Sequence, residues 1–125
     1  MIDAIDHFVL TVRSIEDTCS FYRRALGIEA ASFGQGRTAL QIGAQKINLH
    51  EVGREFLPNA RAATPGSGDF CLIAREPVED IAQRWRALGI TVEDGPGPRT
   101  GARGPMVSVY CRDPDGNLVE VSNYR

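Results

Sequence analysis

Two imidazoles and two carboxylates stand in otherwise apolar stretches of this chain. His7 lies in Asp6-His7-Phe8-Val9-Leu10-Thr11-Val12 and His50 in Ile47-Asn48-Leu49-His50-Glu51-Val52. Asp69 opens Asp69-Phe70-Cys71-Leu72, and Glu120 sits inside Leu118-Val119-Glu120-Val121. Such groups are costly to bury without a partner. Imidazole and carboxylate together are the usual ligands of first-row divalent ions. Strand alternation sends Phe8, Phe70 and Val121 to one face and His7, Asp69 and Glu120 to the other. His50 joins that second face if its strand slips by one residue. Spacing alone leaves a solvated or structural role open for each. Arg99 and Arg103 are the only charges between Gly95 and Pro105, so an anionic substrate would be met there; solvated arginines are the plain alternative. Gly34-Gln35-Gly36 is followed by no helix and is not a phosphate loop.

These residues recur in register. Arg24-Ala25-Leu26-Gly27-Ile28 returns as Arg86-Ala87-Leu88-Gly89-Ile90, 62 positions later. At that offset Asp6-His7-Phe8-Val9-Leu10 falls on Gly68-Asp69-Phe70-Cys71-Leu72, so His7 and Asp69 correspond. A unit of this length is too long for a solenoid repeat and too short for an independent domain. The expectation is one domain over residues 1–125, built from modules 1–53 and 68–125 joined by a linker over 54–67.

Within each module the pattern predicts β-α-β-β-β. Strand 6–12 precedes a helix that begins near Ser14, carries Ile15, Cys19, Tyr22 and Leu26 as its apolar stripe, and stops at Gly27. Strands follow over 28–33, 37–42 and 46–52. The second module predicts strand 69–74, a helix from near Pro77 with Val78, Ile81, Trp85 and Leu88 inward, and a strand starting at 90–93. A loop over Gly95–Pro105, acting as a lid or rim, then leads into strand 106–111, the Asp113-Pro114-Asp115-Gly116 turn and a last strand from Leu118 to Ser122.

Composition sets limits. At 125 residues, 42% hydrophobic, 24% charged and net charge −2, the chain reads as one ordinary globular domain without the basic footprint of a nucleic-acid binder. No apolar run approaches about 18 residues, and the first residues lack a secretory pattern, so a cytoplasmic location away from membranes is expected. Cys19, Cys71 and Cys111 fit no disulfide framework; Cys71 and Cys111 read as inert core residues.

Ile5-Asp6-His7-Phe8-Val9-Leu10-Thr11-Val12, Phe21-Tyr22-Arg23-Arg24-Ala25-Leu26-Gly27 and Asp113-Pro114-Asp115-Gly116-Asn117-Leu118-Val119-Glu120 resemble the vicinal oxygen chelate superfamily. That superfamily includes glyoxalase I, fosfomycin- and bleomycin-resistance proteins, methylmalonyl-CoA epimerase and extradiol dioxygenases. The resemblance covers nearly the whole chain. It implies an α+β fold of two paired βαβββ modules, a cupped mixed sheet and a divalent metal (Fe, Mn, Ni or Zn). Carried over, the ligands are His7, His50, Asp69 and Glu120, with Asn48 as the alternative fourth-strand position. Relatives place His where this chain has Asp69. Asp69 as a ligand leans the set toward Fe, Mn or Ni; as an orienting group it leaves His7, His50 and Glu120. Tyr110 and Ser108 fall at site positions of fosfomycin-resistance proteins, but Val9 replaces their threonine and the basic tail is missing. The implied function is a metal-dependent glyoxalase-like lyase or isomerase. Its metal would act as Lewis acid on vicinal oxygens, Glu120 and Tyr110 would be catalytic, and Arg99, Arg103 and Ser108 would bind substrate. The alternatives are an extradiol-type dioxygenase and a non-catalytic antibiotic-binding resistance protein. The expected partners are a small molecule and a second copy of the chain, with no nucleic acid and no membrane.

Overall fold

Ser14 starts the first helix as its sequence suggests: its side chain accepts the Asp17 N–H at 3.1 Å. The computed structural model describes residues 1–125, which divide into two compact units, residues 1–67 and 68–125. Unit 1 runs β1 (His7–Val12), α1 (Ile15–Leu26), β2 (Ala30–Phe33), β3 (Arg37–Ile42) and β4 (Gln45–Glu51). Unit 2 repeats the order with β5 (Asp69–Ile73), α2 (Val78–Ala87), β6 (Asp94–Gly101), β7 (Gly104–Arg112) and β8 (Leu118–Tyr124). The chain is therefore an α+β protein of two βαβββ modules. The sheets share one topology, β1-β4-β3-β2 and β5-β8-β7-β6. In each, the first strand pairs parallel with the last, and the remaining pairs are antiparallel.

One face of each sheet packs on its helix. In unit 1, Leu10, Val12, Leu40, Ile47 and Leu49 are buried on the side of α1. The helix turns Thr18, Phe21, Tyr22 and Ala25 inward. Its buried stripe is rotated from the expected one: Tyr22 lies at the centre, whereas Ile15, Cys19 and Leu26 are half-buried at its margins. In unit 2, Val109, Cys111, Val119 and Val121 are buried beside Val78, Ile81, Ala82 and Trp85 of α2, and Leu88 is exposed. Pro77 offers no capping side chain to α2. Asn123 of β8 supplies the cap, accepting the Val78 N–H at 2.8 Å and donating to the Ala74 and Glu76 carbonyls at 3.0 and 2.9 Å.

The Asp113–Asn117 turn is structural. Asp113 accepts the N–H groups of Asp115 and Asn117, and the Asn117 amide donates to Asp113 and accepts the Gly68 N–H at 2.7 Å. The Asp113–Asn117 segment thus ties β8 to the entry of β5.

Two expectations are corrected. Residues 90–93 form no strand, and most of Gly95–Pro105 is not a loop: β6 runs through it and turns at Ala102-Arg103 into β7. β6 is an edge strand, where a proline's missing N–H breaks no ladder on the open side. A register shift between Asp94 and Gly97 takes up the irregularity. Cys71 is exposed rather than a core residue, because it shares the parity of Asp69 and faces away from α2; Cys111 is buried.

Candidate functional site

The open face of the second sheet collects most of the residues singled out in unit 2. Cys71, Glu120, Tyr110 and Asp94 form one cross-strand row; Ser122 and Ser108 lie in the next. Hydrogen bonds join neighbouring groups. Arg99 Nε donates to Tyr110 Oη at 3.1 Å, and Glu120 lies directly opposite Tyr110 in the β7–β8 pair. Ser122 Oγ donates to Glu120 Oε2 at 3.3 Å and lies 2.6 Å from Ser108 Oγ and 3.1 Å from Cys71 Sγ. Asp94 pairs with Arg99 at 2.8 Å and holds the far end. Burial pushes the Tyr110 phenol above its ordinary pKa, and Glu120 adds to this while Arg99 opposes it. Tyr110 therefore stays a protonated donor through neutral pH.

Alternation put Glu120 on the face away from the helix and the resemblance pointed to Tyr110 and Ser108; the β7–β8 pairing puts these three on one face, and the β6 strand brings Arg99 to them. Sequence reasoning missed Ser122, Asp94 and Cys71. Ser122 and Cys71 share the parity of Glu120 and Asp69 and were legible on that ground; Asp94 entered only through β6. Arg103 stands apart at the hairpin turn, its guanidinium 4.4 Å from the Tyr124 ring centroid and its N–H donating to Tyr124 Oη. Asp69 is exposed on the same face, two residues along its strand from the partner of Glu120.

In unit 1, β1 and β4 pair in parallel, with His7 opposite Lys46 and Thr11 opposite His50. His7 and His50 therefore share the face opposite α1 without any slip of register. They are four rows apart, roughly 13 Å at about 3.3 Å per residue, and do not converge. His7 is exposed, with Nδ1 2.6 Å from Asp6 Oδ1. That arrangement leaves Nε2 available to a metal, oriented by a carboxylate on the other nitrogen. His50 is buried against Phe56 (ring centroids 5.6 Å apart), and Arg37 Nη2 donates to its Nε2 at 3.5 Å. With Nε2 accepting from a guanidinium, the ring proton sits on Nδ1. Burial and Arg37 lower its pKa against the opposing pull of Glu55. Neither unit by itself gathers three His, Cys, Asp or Glu side chains in position for a metal.

A model of the glyoxalase/bleomycin resistance protein/dioxygenase superfamily matches residues 4–121. The chain belongs to that superfamily. Among superfamily relatives, virulence protein STM3117 of Salmonella typhimurium is 51% identical over 124 residues, 99% of this chain and 86% of the relative. Its crystal structure aligns with a TM-score of 0.97, covering 100% of this chain and 99% of that one. The glyoxalase domain-containing protein RDO1 of Mycosarcoma maydis is 47% identical over 98% of this chain and 69% of its own length. A lactoylglutathione lyase from Agrobacterium tumefaciens is similar at 28% identity, with a TM-score of 0.73 over 98% of this chain and 95% of that one. Superfamily membership accounts for the α+β fold and for small-molecule ligands as a class. No helix is long and apolar enough to cross a membrane.

Proposed function

We propose that the chain is a metal-dependent enzyme of glyoxalase type, acting as a lyase or isomerase on a small substrate with vicinal oxygens. The observation that carries this is the Arg99–Tyr110–Glu120 row: a carboxylate held by Ser122 on the sheet face away from α2, beside a phenol that is itself held by a guanidinium. His7, Glu120 and Asp69 are the residues proposed to hold the ion. When bound, a divalent ion supplies Lewis acidity that lowers the cost of an enediolate or alkoxide. Glu120 offers a carboxylate oxygen to take and return a proton next to the substrate carbonyl. Tyr110 donates a hydrogen bond to an oxygen gaining charge, and Arg99 compensates that charge from behind. Ser108 and Ser122 keep Glu120 in one orientation, and Arg103 meets acidic substrate from the hairpin turn.

The test is the metal content of protein purified without added metal, read beside turnover of the methylglyoxal–glutathione adduct. Bound divalent metal with turnover, lost by about 10²-fold or more in Glu120→Gln, is the expected result. His7→Ala should abolish metal binding by calorimetry. Oxygen consumption with a catechol would replace the lyase by a dioxygenase. Unchanged metal affinity in His7→Ala would remove that residue.

A further inference from the structure

The open face of the first sheet carries groups that no step above uses. Arg37 lies between two rings, 5.0 Å from the Phe33 centroid and 4.6 Å from that of Phe56. Lys46 Nζ lies 3.5 Å from the Phe33 centroid. Neither cation has a carboxylate at ion-pair distance. On the same face of β4, Asn48 Oδ1 and His50 Nδ1 are buried without a hydrogen-bond partner, in residues only 5% and 2% exposed. Nδ1 carries the imidazole proton, since Nε2 accepts from Arg37, so it is a buried donor lacking an acceptor. Native proteins rarely leave such atoms unmatched, and an absent ligand is one physical reason for it.

We propose that this face binds the carboxylate of a small monoanionic molecule with an apolar body. Arg37 and Lys46 supply the charge, His50 Nδ1–H a directed hydrogen bond, and Phe33 and Phe56 the walls. Glu55 is close enough to act on His50. Two cations and one anion leave a single excess positive charge, which matches a monoanion better than a phosphate dianion. A planar carboxylate also suits the fork of a guanidinium. The surrounding aromatic rings would be poorly used by an ion without a body.

The proposal names a substrate class for the enzyme reading but needs neither metal nor turnover, so it is tested on metal-stripped full-length protein. Benzoate, acetate, inorganic phosphate and benzyl alcohol are titrated while the imidazole ¹⁵N signals are followed. Benzoate should bind at least about tenfold more tightly than the other three, a difference of about 1.4 kcal/mol. The His50 Nδ1–H signal should move as it binds. Arg37→Gln and Lys46→Gln should each weaken benzoate about tenfold, and Lys46→Gln should keep the wild-type melting temperature. Lys46 is the control for folding, since its ammonium makes no hydrogen bond or ion pair. Equal binding of benzyl alcohol, tighter binding of phosphate, absence of benzoate binding, or unchanged benzoate affinity in a folded Lys46→Gln protein would each overturn the proposal. Benzoate binding without metal or turnover would leave it standing and count against the enzyme reading alone.

Discussion

Tyr110 is placed between a cation and an anion, and the two act on it in opposite directions. Burial and Glu120 raise its pKa; the Arg99 hydrogen bond lowers it. Removing the guanidinium in Arg99→Gln should therefore raise the Tyr110 midpoint further. The check is ultraviolet titration of phenolate absorbance, with Tyr110→Phe identifying the transition among Tyr22, Tyr110 and Tyr124. A midpoint that falls would mean that Arg99 does not hold the phenol. Cys111 allows a second sign to be worked out. Burial, with smaller contributions from Asp113 and Glu93, pushes its thiol up to about 12 from an ordinary 9.0. Above the ordinary value the unfolded chain ionises its thiol while the folded one does not, so stability is complete below pH 9.0 and is lost between there and about 12. Cys111→Val should flatten that alkaline decline in urea unfolding measured across pH, because it removes the titrating group at similar volume. Exposed Cys71 should alkylate in the native protein, and Cys111 only in denaturant.

At the level of the element, β6 is the feature that composition concealed. Proline and glycine at alternate positions look like a loop, yet the strand pairs with β7 from Asp94 to Gly101. Its entry depends on Gly95, which has a φ of +85° and whose Cβ, were there one, would sit 2.3 Å from the Ser108 carbonyl oxygen. Gly97 has no such restriction, its nearest neighbour being the Arg99 side chain at 3.8 Å. Gly95→Ala should cost about 2–3 kcal/mol or more by chemical denaturation, from backbone strain together with a clash against main chain. Gly97→Ala should cost less than about 1 kcal/mol. Equal costs would mean that β6 does not hold this register. Gly95→Ala should also displace Arg99 from Tyr110, since the strand that carries the arginine starts at that glycine.

At the level of the whole molecule, each four-stranded sheet ends on strands whose outer edges have no partner in that sheet, β1 and β2 in one, β5 and β6 in the other. Such edges are open to pairing or cover by another chain. Two of them begin with proposed ligands, His7 on β1 and Asp69 on β5. We expect a homodimer, measured by light scattering as twice the 13.6 kDa chain mass. A monomer at micromolar concentration would remove that expectation. Superfamily membership adds a small-molecule ligand as a class. The relatives' names carry no common reaction, so the site itself must be tested.

The sequence by itself determined the repeat, the order of elements, the start of both helices and the parity that separates Glu120 from Val119 and Val121. These are local properties: a period of two or of 3.6, a capping serine, a turn residue. Tertiary structure decided what depends on pairing between distant segments. Parallel pairing of β1 with β4 put His50 on the face of His7 without a register slip, and set it four rows away. The β3–β4 pairing brought Arg37 beside the His50 ring, so that Nε2 accepts a hydrogen bond and Nδ1 is left an unmatched donor. Cys71 left the core because parity told against it where apolar neighbours had argued for it. Asn123 capped a helix that begins 45 residues before it in the chain, a contact that no local pattern announces. Ligation, capping and proton position are settled by atoms within about 3 Å, and only the folded register determines which atoms those are.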